Sequence, residues 1–202
     1  MKIRQITVGA IQENCYIVIQ EETKEAIIVD PGDWPEKIMA VLSEMKAVPV
    51  AILLTHGHFD HIGAVPALRK EYAIPVYADE KEAVVLGNTK LSMAQFTMEA
   101  DFYLHDGEEL TLAGFSIRVL ETPGHTPGGC CFFFPEQKVL FSGDTLFLES
   151  VGRTDFPGGS MSELVHALKE KLFCLPEDVA VYPGHMEETS IGYEKKYNPF
   201  CE

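Results

Sequence analysis

The stretch Thr55-His56-Gly57-His58-Phe59-Asp60-His61 constrains this chain more than any other. It sets three imidazoles and a carboxylate within six residues, directly after the apolar run Ala51-Ile52-Leu53-Leu54. Such side chains are poor helix or core material, but together they suit divalent metals of intermediate softness. If the strand geometry of the apolar run persists, His56 and His58 point the same way, because alternate residues of a strand share a face. They can then share one ion. Gly57 lets the chain turn, and Asp60 and His61 lead into a segment whose apolar residues Ile62, Val65 and Leu68 have helical spacing. That pair faces a second ion beside the first. Chance is a weak rival: random placement of the 7 histidines gives His-x-His-x-Asp-His on the order of once in a few thousand such chains.

At 202 residues the chain is long enough for one substantial core, and a single domain over residues 1–202 is expected. With 46% apolar and 23% charged residues it has the balance of an ordinary globular protein rather than a disordered or membrane one. No apolar run approaches the ~20 residues of a membrane span, and the N-terminus alternates Lys2, Arg4 and Gln5 with Ile3, Ile6 and Val8, unlike a signal peptide. A cytoplasmic protein with no membrane partner is expected. The five cysteines are odd in number and lack framework spacing, so they read as reduced thiols, with Cys130 and Cys131 on opposite faces of a strand. The net charge of −15 disfavours nucleic acid, whose binding draws on clustered Lys and Arg. The sequence carries no signal of oligomeric state.

Residues 2–8, 15–19 and 25–30 read as strands, the last ending in the turn Pro31-Gly32. Pro35 opens a helix with Ile38, Met39, Val41, Leu42 and Met45 at helical spacing, and Val48 to Leu54 is an apolar strand that delivers the histidines. A helix over 62–72 and a strand over 75–78 follow. Asp79 can cap a helix to Leu86, while 91–98 suits a helix or a lid-like loop. From Phe102 the chain changes to short strands separated by turn residues. Ser160 can cap a helix to Phe173, and Asp178 to Tyr182 is a last strand, ending in Pro183-Gly184-His185. Trp34 and the run Phe132-Phe133-Phe134 read as core or pocket wall. The two halves echo each other, which predicts an α+β fold of four layers, αββα.

A dinuclear site needs six or seven ligands, and three further turns offer one each: Thr122-Pro-Gly-His125, Ser142-Gly-Asp144-Thr and Tyr182-Pro-Gly-His185. In each, an apolar run stops at a turn that presents one ligand-type side chain. His105 reads as a turn residue and His166 as part of an amphipathic helix.

The ordered set His56, His58, Asp60, His61, His125, Asp144 and His185 resembles the metallo-β-lactamase-fold hydrolases. Asn14-Cys-Tyr-Ile-Val, Ile28-Val-Asp-Pro-Gly32, Ser142-Gly-Asp-Thr-Leu-Phe147, Gly152-Arg-Thr-Asp-Phe-Pro-Gly158 and Asn198-Pro-Phe200 are similar to stretches of the glyoxalase II-like (hydroxyacylglutathione hydrolase-like) branch. The resemblance implies a metallo-β-lactamase-like αββα sandwich in which His56, His58 and His125 hold one metal. Asp60, His61 and His185 hold a second, and Asp144 bridges them. The implied cofactor is two Zn2+ per chain, with iron or manganese as alternatives of the same ligand chemistry. Asp144 stands where the best-known antibiotic-degrading branch has cysteine, which weakens the case for a β-lactam substrate. The chain ends at Glu202, before the C-terminal helical segment with which full glyoxalase II enzymes bind glutathione, so a short form is expected and glutathione is in question as the thiol.

The expected reaction is hydrolysis of a small-molecule thioester or ester. Two ions ~3.5–4 Å apart can share a water and lower its pKa from about 15.7 toward ~7, supplying a bridging hydroxide without a Ser or Cys nucleophile. Asp144 is expected to serve the reaction as bridge and Asp60 as ligand and acceptor of the water's proton. Asp30 is the expected partner of a ligating imidazole, with Thr55 or Thr122 beside it. Arg153 can clamp an acidic substrate or pair with Asp155. Three alternatives stand beside hydrolysis of a thioester. The stretch 152–156 also resembles persulfide dioxygenases of the same fold, which use one iron held by a subset equivalent to His56, His125 and Asp144. Lactonase or phosphodiesterase activity shares the same centre, and a non-catalytic metal protein is the third.

Overall fold

The computed structural model describes residues 1–201. Strand β1 (Lys2–Val8) alternates between exposed and buried positions and pairs antiparallel with β2 (Glu13–Ile19), which is buried along its whole length. β2 pairs antiparallel with β3 (Glu25–Val29), and from there the sheet turns parallel through β4 (Val48–Leu53), β5 (Val76–Asp79) and β6 (Phe102–Leu104). Parallel neighbours need crossover connections. Here these are α1 (Pro35–Met45), then α2 (Phe59–Ile62) with α3 (Val65–Tyr72), then α4 (Ala83–Leu86) with α5 (Thr89–Ser92).

The second sheet takes β7 (Glu109–Leu112), β8 (Phe115–Glu121), β9 (Cys130–Phe134) and β10 (Val139–Gly143) as an antiparallel meander. A small hairpin of β11 (Leu146–Phe147) and β12 (Ser150–Val151) leads to α6 (Met161–Ala167), and β13 (Ala180–Pro183) returns parallel to β10. β14 (Thr189–Ser190) closes the edge and α7 (Ile191–Tyr197) follows. The two main sheets have six strands each.

Three buried clusters define four layers. Ile38, Leu42, Val65 and Leu68 pack helices α1 and α3 on the outer face of the first sheet. Tyr16, Val29 and Leu53 meet Phe132, Phe134 and Phe141 between the sheets. Leu164, Leu168 and Ile191 cover the outer face of the second. Tyr16 and Phe134 lie 5.2 and 5.5 Å from the Phe141 ring, in tilted and edge-on geometry. Such pairs add about 0.5–1.5 kcal/mol each beyond area burial. Cys130 and Cys131 fall in different clusters, as the strand period requires.

The architecture is the expected αββα, and the local departures have physical causes. The helix over 62–72 is two helices, because the Ala64 amide donates to the Pro31 carbonyl rather than continuing the α2 ladder, and Pro66 restarts the helix in the first turn of α3. Asp79 does cap, but a 3₁₀ turn over Glu80–Glu82, before α4. The Ser160-capped helix runs on from α6 as a π-helical turn, Leu168–Leu172. The segment Asp178 to Tyr182 gives a strand, β13, but not the last one, since β14 follows. Trp34 is 46% exposed, with Lys37 over its ring, so it does not belong to the core. Among the described residues, no helix is long and apolar enough to cross a membrane.

Candidate metal centre

β4 delivers Thr55 to a buried anchor. Its amide donates to Asp30 Oδ1 at 2.8 Å and its hydroxyl to Asp30 Oδ2 at 2.6 Å. The hydroxyl proton is thereby used, so the Thr55 oxygen accepts from His56 Nδ1 at 3.2 Å and leaves His56 Nε2 as the free lone pair. His125 is set in the same way: its Nδ1 donates to the Arg153 carbonyl at 2.7 Å. Its Nε2 comes within 2.9 Å of His58 Nδ1. The ligand nitrogens of His56, His58 and His125 all lie within 4.8 Å of one another.

A second triad adjoins the first. His185 Nε2 is 3.2 Å and His61 Nε2 3.6 Å from Asp60 Oδ2. Asp144 faces both groups, with Oδ1 3.4 Å from His61 Nε2 and Oδ2 3.5 Å from His125 Nε2 and 3.8 Å from His185 Nε2. It is aimed by Gly143, whose φ of +48° and closeness to the Thr55 side chain leave no room for a Cβ. All seven residues predicted as ligands therefore meet, from the turn after β4, from α2 and from the turns that follow β8, β10 and β13.

Burial first, then the neighbouring imidazoles, hold His56 well below its ordinary pKa and His58 down at about 4, so both are neutral ligands-in-waiting at neutral pH. Burial by itself pushes Asp144 up, but His61, His125 and His185 outweigh it and keep the carboxyl well below the usual range. Burial likewise lowers His61, and the charges of Asp144, Asp60 and Asp30 reverse the sign and raise it. His56 Nε2, His61 Nε2 and Asp144 Oδ1 are buried without a hydrogen-bond partner. Three such atoms turned toward one another are costly in a bare protein and fit divalent cations.

The other expected residues divide. Asp30 holds Thr55 and lies 3.0 Å from His61 Nδ1, so it touches both the first loop and a second-triad imidazole. Thr122 instead pairs with the Thr145 hydroxyl at 2.7 Å. Arg153 lies at the rim of the cleft, but its guanidinium binds Asp155 through two 2.7 Å hydrogen bonds and stacks on Phe156. His105 is exposed beside Glu80, and His166 sits on α6.

Sequence reasoning missed three supports. Buried Glu82 accepts from the Gly57 and Gly128 amides and the Thr126 hydroxyl, all at 2.9 Å. Burial pushes its carboxyl up to about 7 against those bonds. Glu13 is buried 3.9 Å from His61 Nδ1 with neither carboxyl oxygen hydrogen bonded, and burial raises its pKa strongly. The Tyr16 hydroxyl donates to the Pro183 carbonyl at 2.7 Å, and the Asn14 amide group to those of Pro183 and Met186, which fixes the turn bearing His185. A short signal existed only for Asn14 and Tyr16, both inside a motif quoted above.

A cleft of about 510 Å³ opens over the cluster, with His58, Asp60, His125, Asp144 and His185 on its floor. The chain matches the family model described as "Metallo-beta-lactamase superfamily" over residues 8–185. It is 39% identical to the "Probable metallo-hydrolase YqgX" of Bacillus subtilis, covering 99% of this chain and 97% of that protein. It is 38% identical to the "Hydroxyacylglutathione hydrolase GloC" of Haemophilus influenzae, covering 99% and 98%. Among solved structures, it resembles the BLEG-1 B3 metallo-beta-lactamase at 41% identity and TM-score 0.93, covering 99% of each chain. A di-iron-bound form of TTHA1623 matches at 38% and 0.88, covering 98% and 99%. ETHE1 from Myxococcus xanthus matches at 29% and 0.85, covering 98% of this chain and 84% of that one. With the family match across most of its length and full-length relatives above a third identity, the chain belongs to the metallo-beta-lactamase superfamily.

Proposed function

We propose that this superfamily member, a metal-dependent hydrolase, cleaves thioesters at a two-metal centre. His56, His58 and His125 would hold one ion, Asp60, His61 and His185 the other, and Asp144 would touch both. The observation that supports this reading most is the position of Asp144, whose carboxylate lies between the triads, 3.5 Å from His125 of one and 3.4 and 3.8 Å from His61 and His185 of the other. When bound, two divalent ions, zinc above all, supply Lewis acidity toward a carbonyl and lower the pKa of water. The chain's own residues do the rest. Arg153 and Thr55 fix which nitrogen of His125 and His56 is free, and Asp30 orients His61. Asp60, 3.2 Å from His185, stands at the cleft floor to receive a proton from the attacking water. The cleft walls hold the scissile group over this floor.

The GloC relative supports thioester chemistry, and the BLEG-1 likeness makes β-lactams a substrate class to test beside it despite Asp144. A one-iron persulfide oxidation, by His56, His125 and Asp144, is the second reading. The ETHE1 likeness favours it, and the completeness of the second triad counts against it. The discriminating experiment is metal analysis of protein purified without added metal, followed by thioester hydrolysis and oxygen uptake on the same sample. About two zinc ions with hydrolysis is expected. About one iron with oxygen consumption would replace this reading with the second.

A further inference from the structure

The wall of the cleft is apolar where it meets solvent. Ile11 is 51%, Phe59 40%, Met93 39% and Met186 51% exposed, and all four line this one opening. Two of them sit on strained backbone: Met93 has φ +58° and Met186 φ +68°, a region L-residues seldom adopt. Large apolar side chains clustered in solvent around a polar floor mark a binding surface rather than packing.

The charges nearby point the same way. Arg153 carries the only permanent positive charge among the described residues lining the cleft, and its Nε and Nη2 already donate to Asp155, whose charge offsets its own. Exposed Glu187 and Glu188 follow Met186 in the chain, and exposed Glu149 precedes the lining residue Ser150. A thiol carrier bearing two carboxylates meets there a single cation, already paired with Asp155, among exposed acidic side chains.

We infer that the cleft takes acyl groups with an apolar chain of several carbons, borne on a thiol without carboxylates. Ile11, Phe59, Met93 and Met186 would cover the chain while the carbonyl lies over the metal floor. This rests on the thioester reading above.

The test uses the metal-loaded protein with acetyl, butyryl, hexanoyl and octanoyl thioesters of N-acetylcysteamine, and the same acyl groups on glutathione. kcat/KM is expected to rise about fourfold per methylene until the wall is covered, with glutathione no better than N-acetylcysteamine. Met93→Glu and Met186→Glu, both at exposed positions, should flatten the slope with unchanged circular dichroism. A flat or falling chain-length series, or a tenfold preference for glutathione, would overturn the inference. If no thioester is cleaved, the thioester reading fails, and calorimetry with S-alkyl-N-acetylcysteamine thioethers decides the cleft separately. Affinity that climbs with alkyl length upholds an apolar site; length-independent or absent binding ends it.

Discussion

The Gly57 amide donates a 2.9 Å hydrogen bond to Glu82 Oε1, while Glu82 Oε2 takes the Gly128 amide and the Thr126 hydroxyl. One buried carboxylate thus joins the turn carrying His56 and His58 to the turn carrying His125, which are otherwise supplied by different sheets. Glu82→Ala should lower affinity for the metal of the first triad about 10- to 100-fold, the range seen for groups that orient ligands. Competition with a chromophoric chelator measures this. Wild-type affinity in the variant would remove Glu82 from the centre.

Glu82 also makes a pH prediction. Its carboxyl stands at about 7 in the fold against an ordinary 4.5. The folded state therefore holds a proton that the unfolded chain has lost, and stability falls as pH rises between those values and levels off above them. The Gln variant lacks the titration. Denaturant unfolding of wild type and Glu82→Gln at equal metal content, from pH 4.5 to 8, should show wild type losing about 3 kcal/mol relative to the variant. Parallel pH curves would contradict it.

Gly184 leaves no space for a larger residue: a Cβ there would lie 2.4 Å from Asp144 Oδ1 and 2.7 Å from His61 Cε1. Gly184→Ala should displace the Asp144 carboxylate and, on the proposed reading, reduce hydrolysis roughly 100-fold or more, since small misplacements of reacting groups cost that much. The far-ultraviolet circular dichroism should hardly change. Near-normal turnover in this variant would mean that Asp144 need not sit where it does.

The pair of Arg153 and Asp155 separates two roles of one residue. Arg153→Ala keeps the backbone carbonyl that receives His125 Nδ1, so metal content should stay normal. Its guanidinium is engaged, so KM for acidic thioesters should shift by less than about threefold. Asp155→Ala frees that cation and should lower KM for acidic thioesters by about fivefold. A large KM rise in Arg153→Ala alone would make the arginine a direct clamp.

The candidate ligand set was legible because seven His and Asp side chains, four in one loop and three at other strand-to-turn junctions, have few other uses, and the layers because strand and helix periods differ. Glu82 and Glu13 were not legible. Each is an ordinary acidic residue locally, and only tertiary burial, far from its site in sequence, gives it a role. Arg153 was read through its side chain, whereas the fold also uses its carbonyl, which every residue possesses and no pattern reports. The break at Ala64 was hidden for a like reason: it depends on the Pro31 carbonyl, 33 residues back in the chain.

Each sheet contributes part of the ligand set, and the halves meet across the seam where the Asn14 amide reaches the Gly184 carbonyl at 2.8 Å. A bound pair of ions would act as a further clasp between two layers that already cohere through apolar packing and a few hydrogen bonds across the seam. Transient parting of the layers would then dismantle the centre while both sheets remain hydrogen bonded, and metal occupancy would report how tightly the sandwich is shut.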